Sequence, residues 1–523
     1  MDRYYDSEDM ATSSQANNWA ASDRTPLLGA SRGSGNIISN MGEKKIGISQ
    51  QTLVSTGGYS TSGKKLPQYI AALAATLGAV AFGTVLGWSN AAGKDGVTLA
   101  AEYKIPISTS EFSWIGSITN LGAAAICIPI GLLSDIFGRK PSMLMLVVPF
   151  TIGWGLTIWA NSVVMFYIGR FLVGVSGGAF CVAAPNYTSE IAETDVRGKL
   201  GSYFQLMLTI GILLSYILGS FVNIFTLSLI SAIFPLIFFA AFIFMPETPG
   251  YYLMKDKEDQ AKASLLRLRG PKYDVDQEIR LKKEAIEEKR NNQGSFISIL
   301  RSKASIKALI IGFGLMLFQQ LSGVNAIIFY VGTLFGSGSS IPPEVSTIIV
   351  GVIQVTAVFF STLVVDRLGR KILLIASSVS MAIGTFTLGI YFCLKERMHL
   401  DVSAITWLPL VATCLFLLMF NFGFGPLPWM MMGELFSPQI KGVAASSACL
   451  FNWVMAFLVT RFYSDLTLSF GVDVTFWIFS VICALACVFV VFVVPETKGK
   501  SLEQIQIELG GNRSSSTAST EKA

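Results

Sequence analysis

Histidine is almost missing from this chain: among 523 residues there is one, His399, in a polar connector between apolar runs. A Ser-His-Asp triad, a histidine base or a His-ligated metal therefore has almost nothing to draw on. Charge is scarce as well, at 14% of residues. The slight excess of basic residues does not cluster with exposed aromatics, so no nucleic-acid partner is expected. Seven cysteines (Cys127, Cys181, Cys393, Cys414, Cys449, Cys483 and Cys487) include no CxxC pair and sit in or beside apolar segments. They read as packing residues rather than as a disulfide or metal framework. The basic, apolar, small-residue order of a cleavable signal peptide is also absent from the first 66 residues, so the first apolar segment is expected to direct insertion. These absences exclude most enzyme classes, and no cofactor or metal is expected.

What is present is apolar length. Hydrophobic residues make up 52% of the chain, and runs of about 20 such residues cross a bilayer as helices. Twelve candidates lie near 67–90, 112–134, 142–161, 163–185, 200–222, 224–245, 306–331, 344–365, 372–394, 405–432, 443–463 and 473–494. The expected fold is an all-α membrane protein with twelve transmembrane helices in two six-helix halves and short cytoplasmic helices. Its expected units are a low-complexity cytoplasmic tail (1–66), an N-terminal half (67–245), a cytoplasmic helical linker (246–305), a C-terminal half (306–494) and a second cytoplasmic tail (495–523).

Orientation follows from the excess of Lys and Arg on the cytoplasmic side. With the N-terminus inside, Lys44, Lys45, Lys64, Lys65, Arg139, Lys140, Arg197, Lys199, Arg367, Arg370, Lys371 and Lys441 share one side with the charged segment 246–305. The other side keeps Lys94, Lys104, Lys395, Arg397 and Arg461. Both termini are then cytoplasmic. The linker stretches "KDKEDQAKASLLRLRG" and "DQEIRLKKEAIEEKR" carry apolar residues at helical spacing, which reads either as solvated helices or as a bundle bracing the two halves. The sequons "NYT" (186–188) and "NRS" (512–514) fall on the cytoplasmic side and are discounted.

An internal repeat supports the two-half reading. "DIFGRK" (135–140) returns as "DRLGRK" (366–371), "EIAETDVRG" as "ELFSPQIKG", and "MPETPG" (245–250) as "VPETKG" (494–499). The three motifs keep their order, after the second, fourth and sixth helix of each half. Tandem halves of this kind suit alternating access, in which a site between them opens to each side in turn. The repeated connectors supply Asp135, Glu190, Glu247, Asp366, Glu434 and Glu496 as acids, with Arg139, Arg197, Arg370 and Lys441 as bases. They are expected to pair across the cytoplasmic helix ends and close an inner gate, or else to cap those ends.

Within the spans, neutral amides stand out: Gln205, Gln319, Gln320, Asn325, Gln354, Asn421 and Asn452. An amide in hydrocarbon needs a partner, so each marks a helix interface or a pathway. Helical geometry points Gln319 and Gln320 in different directions and lets Gln320 and Asn325 share a face only loosely. Gly425, Pro426 and Pro428 interrupt the tenth run, because proline lacks the amide hydrogen.

These motifs, together with "GRFLVGVSGG", "QQLSGVN" and "GPLPW", resemble the sugar-porter family of the major facilitator superfamily over residues 67 to about 505. Within it the chain is most similar to insect-type facilitated trehalose transporters and to the dileucine-bearing facilitative glucose transporters. The resemblance implies a facilitative uniporter of trehalose or a hexose such as glucose. It also implies sugar contacts at Gln205, Gln319, Gln320, Asn325, Trp429 and Asn452. Departures are Gln354 for Asn, Asn421 for Glu, and Met316-Leu317-Phe318 for "QLS", which point away from glucose itself. Ile136 and Gly250, each in place of an arginine, thin the gate network of the first half. Proton-coupled relatives carry an acid in the first helix. "PQYIAALAATLGAVAFGTVLGWSN" has none, which leaves Arg170 in the fourth helix without that partner. The alternatives are a proton-coupled symporter and a non-transporting sugar receptor.

One tail feature remains. Asp23 precedes Leu27-Leu28 in "SDRTPLLGA", within a polar segment that cannot bury a core. Asp-x-x-x-Leu-Leu resembles the acidic dileucine signal read by clathrin adaptors, and implies a plasma-membrane protein cycling through endosomes or lysosomes. Replacing Leu27 and Leu28 by Ala is expected to raise the surface-to-endosome ratio, measured by surface biotinylation. An unchanged ratio removes the signal.

Overall fold

The structure is a computed structural model, and it describes residues 63–93, 96–291, 300–338, 341–437, 440–500 and 502–510. Asp23, Leu27 and Leu28 lie outside the described residues, as does the 512–514 sequon. Among the described residues there is no β-strand. Eleven helices are long and apolar enough to cross a membrane, and one bent pair makes a twelfth. In the N-terminal half they are α1 (Leu66–Ala91), α2 (Thr109–Ile126 with Pro129–Phe137, bent by 48°), α3 (Arg139–Ile158), α4 (Val163–Ile191), α5 (Asp195–Phe221) and α6 (Ile224–Phe242). In the C-terminal half they are α7 (Lys303–Gly332), α8 (Pro343–Val365), α9 (Arg370–Arg397), α10 (Ser403–Leu435), α11 (Lys441–Phe470) and α12 (Val472–Phe492).

Local chemistry fixes several of these ends. Ser108 and Glu111 form a capping box at the start of α2, satisfying amide hydrogens that have no helical partner. Asn223 caps α6, and the Glu102 carboxylate accepts from the amides of Ile224 and Phe225 at 3.0 and 2.8 Å. Within the first half α1 packs on α5, and α2 and α3 on α4; within the second, α7 packs on α11, α8 on α10, and α9 on α10 and α12. Between the halves α2 meets α11, α5 meets α8, and α1 meets α7.

The face that carries residues 66, 191, 242 and 492 is termed the linker face. It shows the repeat as chemistry. Gly138 and Gly369, with φ of 107° and 96°, precede α3 and α9. A side chain at either would strike a carboxylate, Glu247 in one half and Glu496 in the other. Glu247 accepts from the amide of Lys140 at 2.9 Å, and Glu496 from those of Arg370 and Lys371, both at 3.0 Å. Each conserved turn of the repeat thus brings an acid onto the positive end of a helix.

The charged connector forms helices at Pro249–Met254, Glu258–Arg269 and Val275–Asn291. Its polar contacts run to the N-terminal half. Arg269, with no exposed side-chain surface, pairs with Glu193 and Glu278 at 3.2 Å each and donates to the Ile191 carbonyl at 2.7 Å. Lys65 also pairs with Glu193. The contacts described attach this bundle to one half rather than bracing two. The other half has its own small helix, Leu502–Gly510, which packs on α7 and α10 through buried Ile505 and Leu509. Gln506 donates to the Leu435 carbonyl at 2.5 Å. This helix lies within the expected tail 495–523, where the spacing of Leu502, Ile505 and Leu509 marks one helical face.

The two capping acids differ. Burial pushes the Glu247 carboxyl above its ordinary range, although the amides of Thr248 and Lys140 pull it down. Burial acts on Glu496 too, but the amides of Lys498, Arg370, Lys371 and Thr497 outweigh it and hold that carboxyl low. A depressed carboxyl contributes stability above its unfolded pKa of about 4 and loses it on protonation, whereas a raised one gains as pH falls. At pH 7 Glu496→Gln is therefore expected to lower the melting temperature of the solubilised protein more than Glu247→Gln. Acidification through the carboxylate range closes that gap, as scanning fluorimetry at a pH series would show.

Candidate functional site

The site is built on two broken helices. In α10 the break separates Leu408–Phe422 from Leu427–Leu435. Pro426 and Pro428 have no N–H, so the carbonyls of Phe422 and Phe424, four residues earlier, lose their helical donors. Both find side chains instead. Ser361 of α8 donates to Phe422 at 3.5 Å, and the Gln319 amide of α7 donates to Phe424 at 2.6 Å and to Gly425 at 2.9 Å. The Phe424 amide hydrogen is in turn given to the Ser377 hydroxyl at 3.3 Å.

In α7 the break is at Gly323, whose φ of 87° suits glycine and where any side chain would strike the Phe479 ring. Gln319 and Gln320 end one segment, Lys303–Leu321, and Asn325 begins the next, Val324–Gly338. The four amides then meet. Asn452 of α11 donates to Gln319 Oε1 at 2.6 Å and accepts from Gln320 Nε2 at 3.0 Å. Asn325 donates to Gln320 Oε1 at 2.5 Å. Two sequence expectations are corrected here. Gln319 and Gln320 converge on Asn452, which stands between their directions, and Gln320 and Asn325 bond directly because the glycine break folds one toward the other. All four are buried.

Gln205 on α5 and Trp429 on the second part of α10 are half-buried, and the contacts described do not join them to this cluster. Asn421 is buried and returns its amide to the Leu417 carbonyl at 2.8 Å. Gln354 on α8 is buried with its Nε2 unpartnered.

The N-terminal half adds a cation without a carboxylate. Arg170 is fully buried and donates to the Val85 carbonyl at 3.1 Å, the Ile115 carbonyl at 3.3 Å and Ser89 Oγ at 3.2 Å. Its guanidinium lies 4.8 Å from the Trp88 ring centroid. Carbonyl dipoles, a hydroxyl and an aromatic face thus surround this cation, in keeping with the absence of an acid from the first helix.

Contacts between the halves gather on the face opposite the linker. Gly332 N donates to Asn90 Oδ1 at 2.6 Å, Ser113 to the Arg461 carbonyl at 2.7 Å, and Tyr216 to the Ile328 carbonyl at 2.9 Å. Arg461 lies over Trp114, 5.2 Å from the ring centroid. Deeper, Asn120 donates to Thr460 at 3.0 Å, and Phe82 packs edge-on to Trp453 beside Asn452. On the linker face the described pairs stay within one half: Arg139 with Asp135 and Glu190, both at 3.0 Å, and Arg370 with Glu434 at 3.2 Å. Glu247 and Glu496 serve helix amides rather than the expected basic side chains. Lys441 donates to the Gly433 carbonyl at 3.1 Å, and among the described residues Arg197 meets no carboxylate. The Asp366 side chain lies outside the described residues. The pairs of Arg139 with Glu190 and of Arg370 with Glu434 thus join connectors across helix ends within each half. One oxygen each of Glu190 and Glu434 is buried without a hydrogen bond.

A family model described as "Sugar (and other) transporter" matches residues 63–509. The facilitated trehalose transporter of Bombyx mori is 39% identical over 455 residues, 86% of this chain and 89% of its own length. That of Polypedilum vanderplanki is 39% identical, covering 85% and 88%. Against the Aedes aegypti transporter the identity is 40%, and the match covers 85% of this chain but 55% of that longer protein. Among solved structures, the proton:xylose symporter XylE bound to 6-bromo-6-deoxy-D-glucose has a TM-score of 0.71 and 25% identity, covering 84% of this chain and 99% of that one.

Removing Gln319 takes that side-chain donor from the Phe424 and Gly425 carbonyls and leaves the Asn452 amide nitrogen only the Met316 sulfur, at about 1–3 kcal/mol for each buried group left unpaired. Gln319→Leu is therefore expected to lower the melting temperature in detergent, while Gln205→Leu stays near the parent value. Equal losses would place Gln205 in an equally demanding contact.

Proposed function

The chain belongs to the sugar (and other) transporter family, within the major facilitator superfamily, and on that premise we propose that it is a facilitative carrier of a neutral sugar, trehalose in the first instance. It is a multi-pass membrane transporter and not an enzyme. The observation that carries the substrate reading is the Gln319, Gln320, Asn325 and Asn452 cluster at two helix breaks. Amides both donate and accept, as sugar hydroxyls do. Asn325 Oδ1, the second N–H of Gln320 and the remaining lone pair of Asn452 Oδ1 leave capacity for a ligand. Gln205, from the opposite half, and Trp429 complete the site, the indole covering an apolar ring face. A hexose such as glucose presents the same hydroxyl chemistry.

Transport follows from alternating access. The halves meet opposite the linker, so the arrangement is closed there, and we assign the linker face to the cytoplasm with both termini. Closure of that face brings Asp135, Arg139, Glu190 and Arg197 against Asp366, Arg370, Glu434 and Lys441. The unbonded oxygens of Glu190 and Glu434 are spare acceptors for bases of the other half, and Glu247 and Glu496 hold the helix ends in register. A network present in one state alone biases an equilibrium by its differential energy.

Gradient-driven uniport is supported by the surroundings of Arg170, which are carbonyls, a hydroxyl and an indole, and by the absence of acid from α1. Proton coupling needs a titratable acid there. The tail motif Asp23, Leu27, Leu28 supports cycling between the plasma membrane and endosomes or lysosomes through clathrin adaptors.

Uptake of radiolabelled trehalose and glucose by oocytes tests the reading. Gln320→Ala and Trp429→Ala are each expected to lose about 1–3 kcal/mol of sugar binding, or roughly 5- to 150-fold in transport efficiency. Parental uptake by both variants would overturn the site. Counterflow of labelled sugar in vesicles separates a carrier from a receptor, and sugar-driven acidification of the lumen without an imposed proton gradient would replace uniport by symport.

A further inference from the structure

Two cysteines from opposite halves touch. Cys127 sits at the bend of α2, between its two segments, and Cys449 lies on α11, 322 positions later. Their sulfurs are 3.2 Å apart, and both residues are buried, at 0% and 2% exposure. The Cys127 thiol is also held against the Ala123 carbonyl at 3.1 Å. The other five cysteines are free as well. We propose that Cys127 and Cys449 form a reversible redox site, at which a peroxide-class oxidant ties the two halves together by a disulfide and stops transport.

The geometry suits the chemistry. A disulfide requires about 2.05 Å between sulfurs, so these two must approach by roughly 1 Å, within reach of a side-chain rotation at a helix bend. One thiol attacks hydrogen peroxide, the O–O bond breaks, and a sulfenic acid and one water result. The second thiol then attacks the sulfenic sulfur, forming the S–S bond and releasing a second water. Two thiols lose two electrons and two protons, and one peroxide becomes two waters. A dithiol reverses the step by exchange. Burial keeps the pair from indiscriminate reaction, while their contact makes the second step intramolecular.

Position makes the bond consequential. α2 and α11 form an interface between the halves, with Ser113 bonded to Arg461 and Asn120 to Thr460 further along it. Rocking of the halves has to change that interface, and a covalent tie within it forbids the change. The lock rests on the alternating-access reading above, whereas formation of the bond does not.

The test treats the purified protein in proteoliposomes with hydrogen peroxide, measures sugar counterflow, and digests the sample without reduction for mass spectrometry. The expected result is a peptide pair joined through Cys127 and Cys449, a several-fold fall in counterflow, and recovery of both with dithiothreitol. Cys127→Ser and Cys449→Ser, with Cys127→Ala and Cys449→Ala as alternatives, resist inhibition. Cys181→Ser, on α4, remains sensitive. No linked peptide in the parent protein would overturn the site. A linked peptide with counterflow unchanged would overturn the lock and leave the transport reading intact, since counterflow itself reports transport.

Discussion

A carbonyl that has lost its amide partner inside hydrocarbon cannot turn to water, and the C-terminal half is organised around that constraint. Pro426 and Pro428 each deprive one carbonyl of its donor. The deficit could have been avoided by an unbroken helix; instead Gln319 and Ser361 reach from two neighbouring helices to fill it. Gln319 then has its amide hydrogens committed, its oxygen receives Asn452, and Asn452 in turn fixes Gln320. The amide cluster is thereby anchored, through Gln319, to a carbonyl freed by Pro428, which is not part of it. This is how a helix break both allows bending and places polar groups at the centre of an apolar layer.

The linker face shows a second use of backbone dipoles. In each half a glycine with positive φ lets a carboxylate approach the first amides of a helix, so the acid and helix form one unit. Arg139 and Arg370, the next residues, are then aimed at Glu190 and Glu434. The same local turn thus serves as cap and as aiming device. Duplication kept the turn but not its surroundings: Glu247 is pushed up by burial, while Glu496 is held down by four amides against it. The halves share a pattern of contacts and differ in how firmly each holds its charge.

Spans were legible because hydrocarbon thickness sets a length that any unbroken apolar run must meet, and most helices start and stop within a few residues of the apolar runs, although α4 and α11 continue past theirs to Ile191 and Phe470. The repeat was legible because its motifs keep their order. The amide cluster was only half legible. Residue types pointed to Gln319, Gln320, Asn325 and Asn452, but a regular helix sends successive side chains about 100° apart and gives residues five apart only a loose common face. Gly323 voids that rule for Asn325, and the two glutamines share one partner because Asn452, placed between them, donates to Gln319 and accepts from Gln320. The connector charges divide between the two readings left open for them: Arg139 and Arg370 pair with Glu190 and Glu434, whereas Glu247 and Glu496 cap helix amides. An acid near an arginine in the sequence suggests an ion pair, yet the positive-φ turn presents backbone amides first. The contact between Cys127 and Cys449 had no sequence signal, since nothing local connects residues on helices of different halves.

A carrier site must be satisfied when empty and satisfied when filled, and in the proposed site the amides have the chemistry for both. Gln320 bonds to Asn452 and Asn325, so its buried amide is paired within the protein. A sugar hydroxyl offers one donor and two acceptor lone pairs, so it can replace an amide contact by contacts of the same kind. Charged groups in the same place would bind more strongly to one state and resist release, because neutral hydrogen bonds net about 1 kcal/mol whereas those to charged groups reach about 1.5–3. Arg170 obeys the same economy on the other side of the site: its charge is spread over two carbonyls, a hydroxyl and an indole. None of these groups is an acid, which is the observation on which the proposed uniport rests.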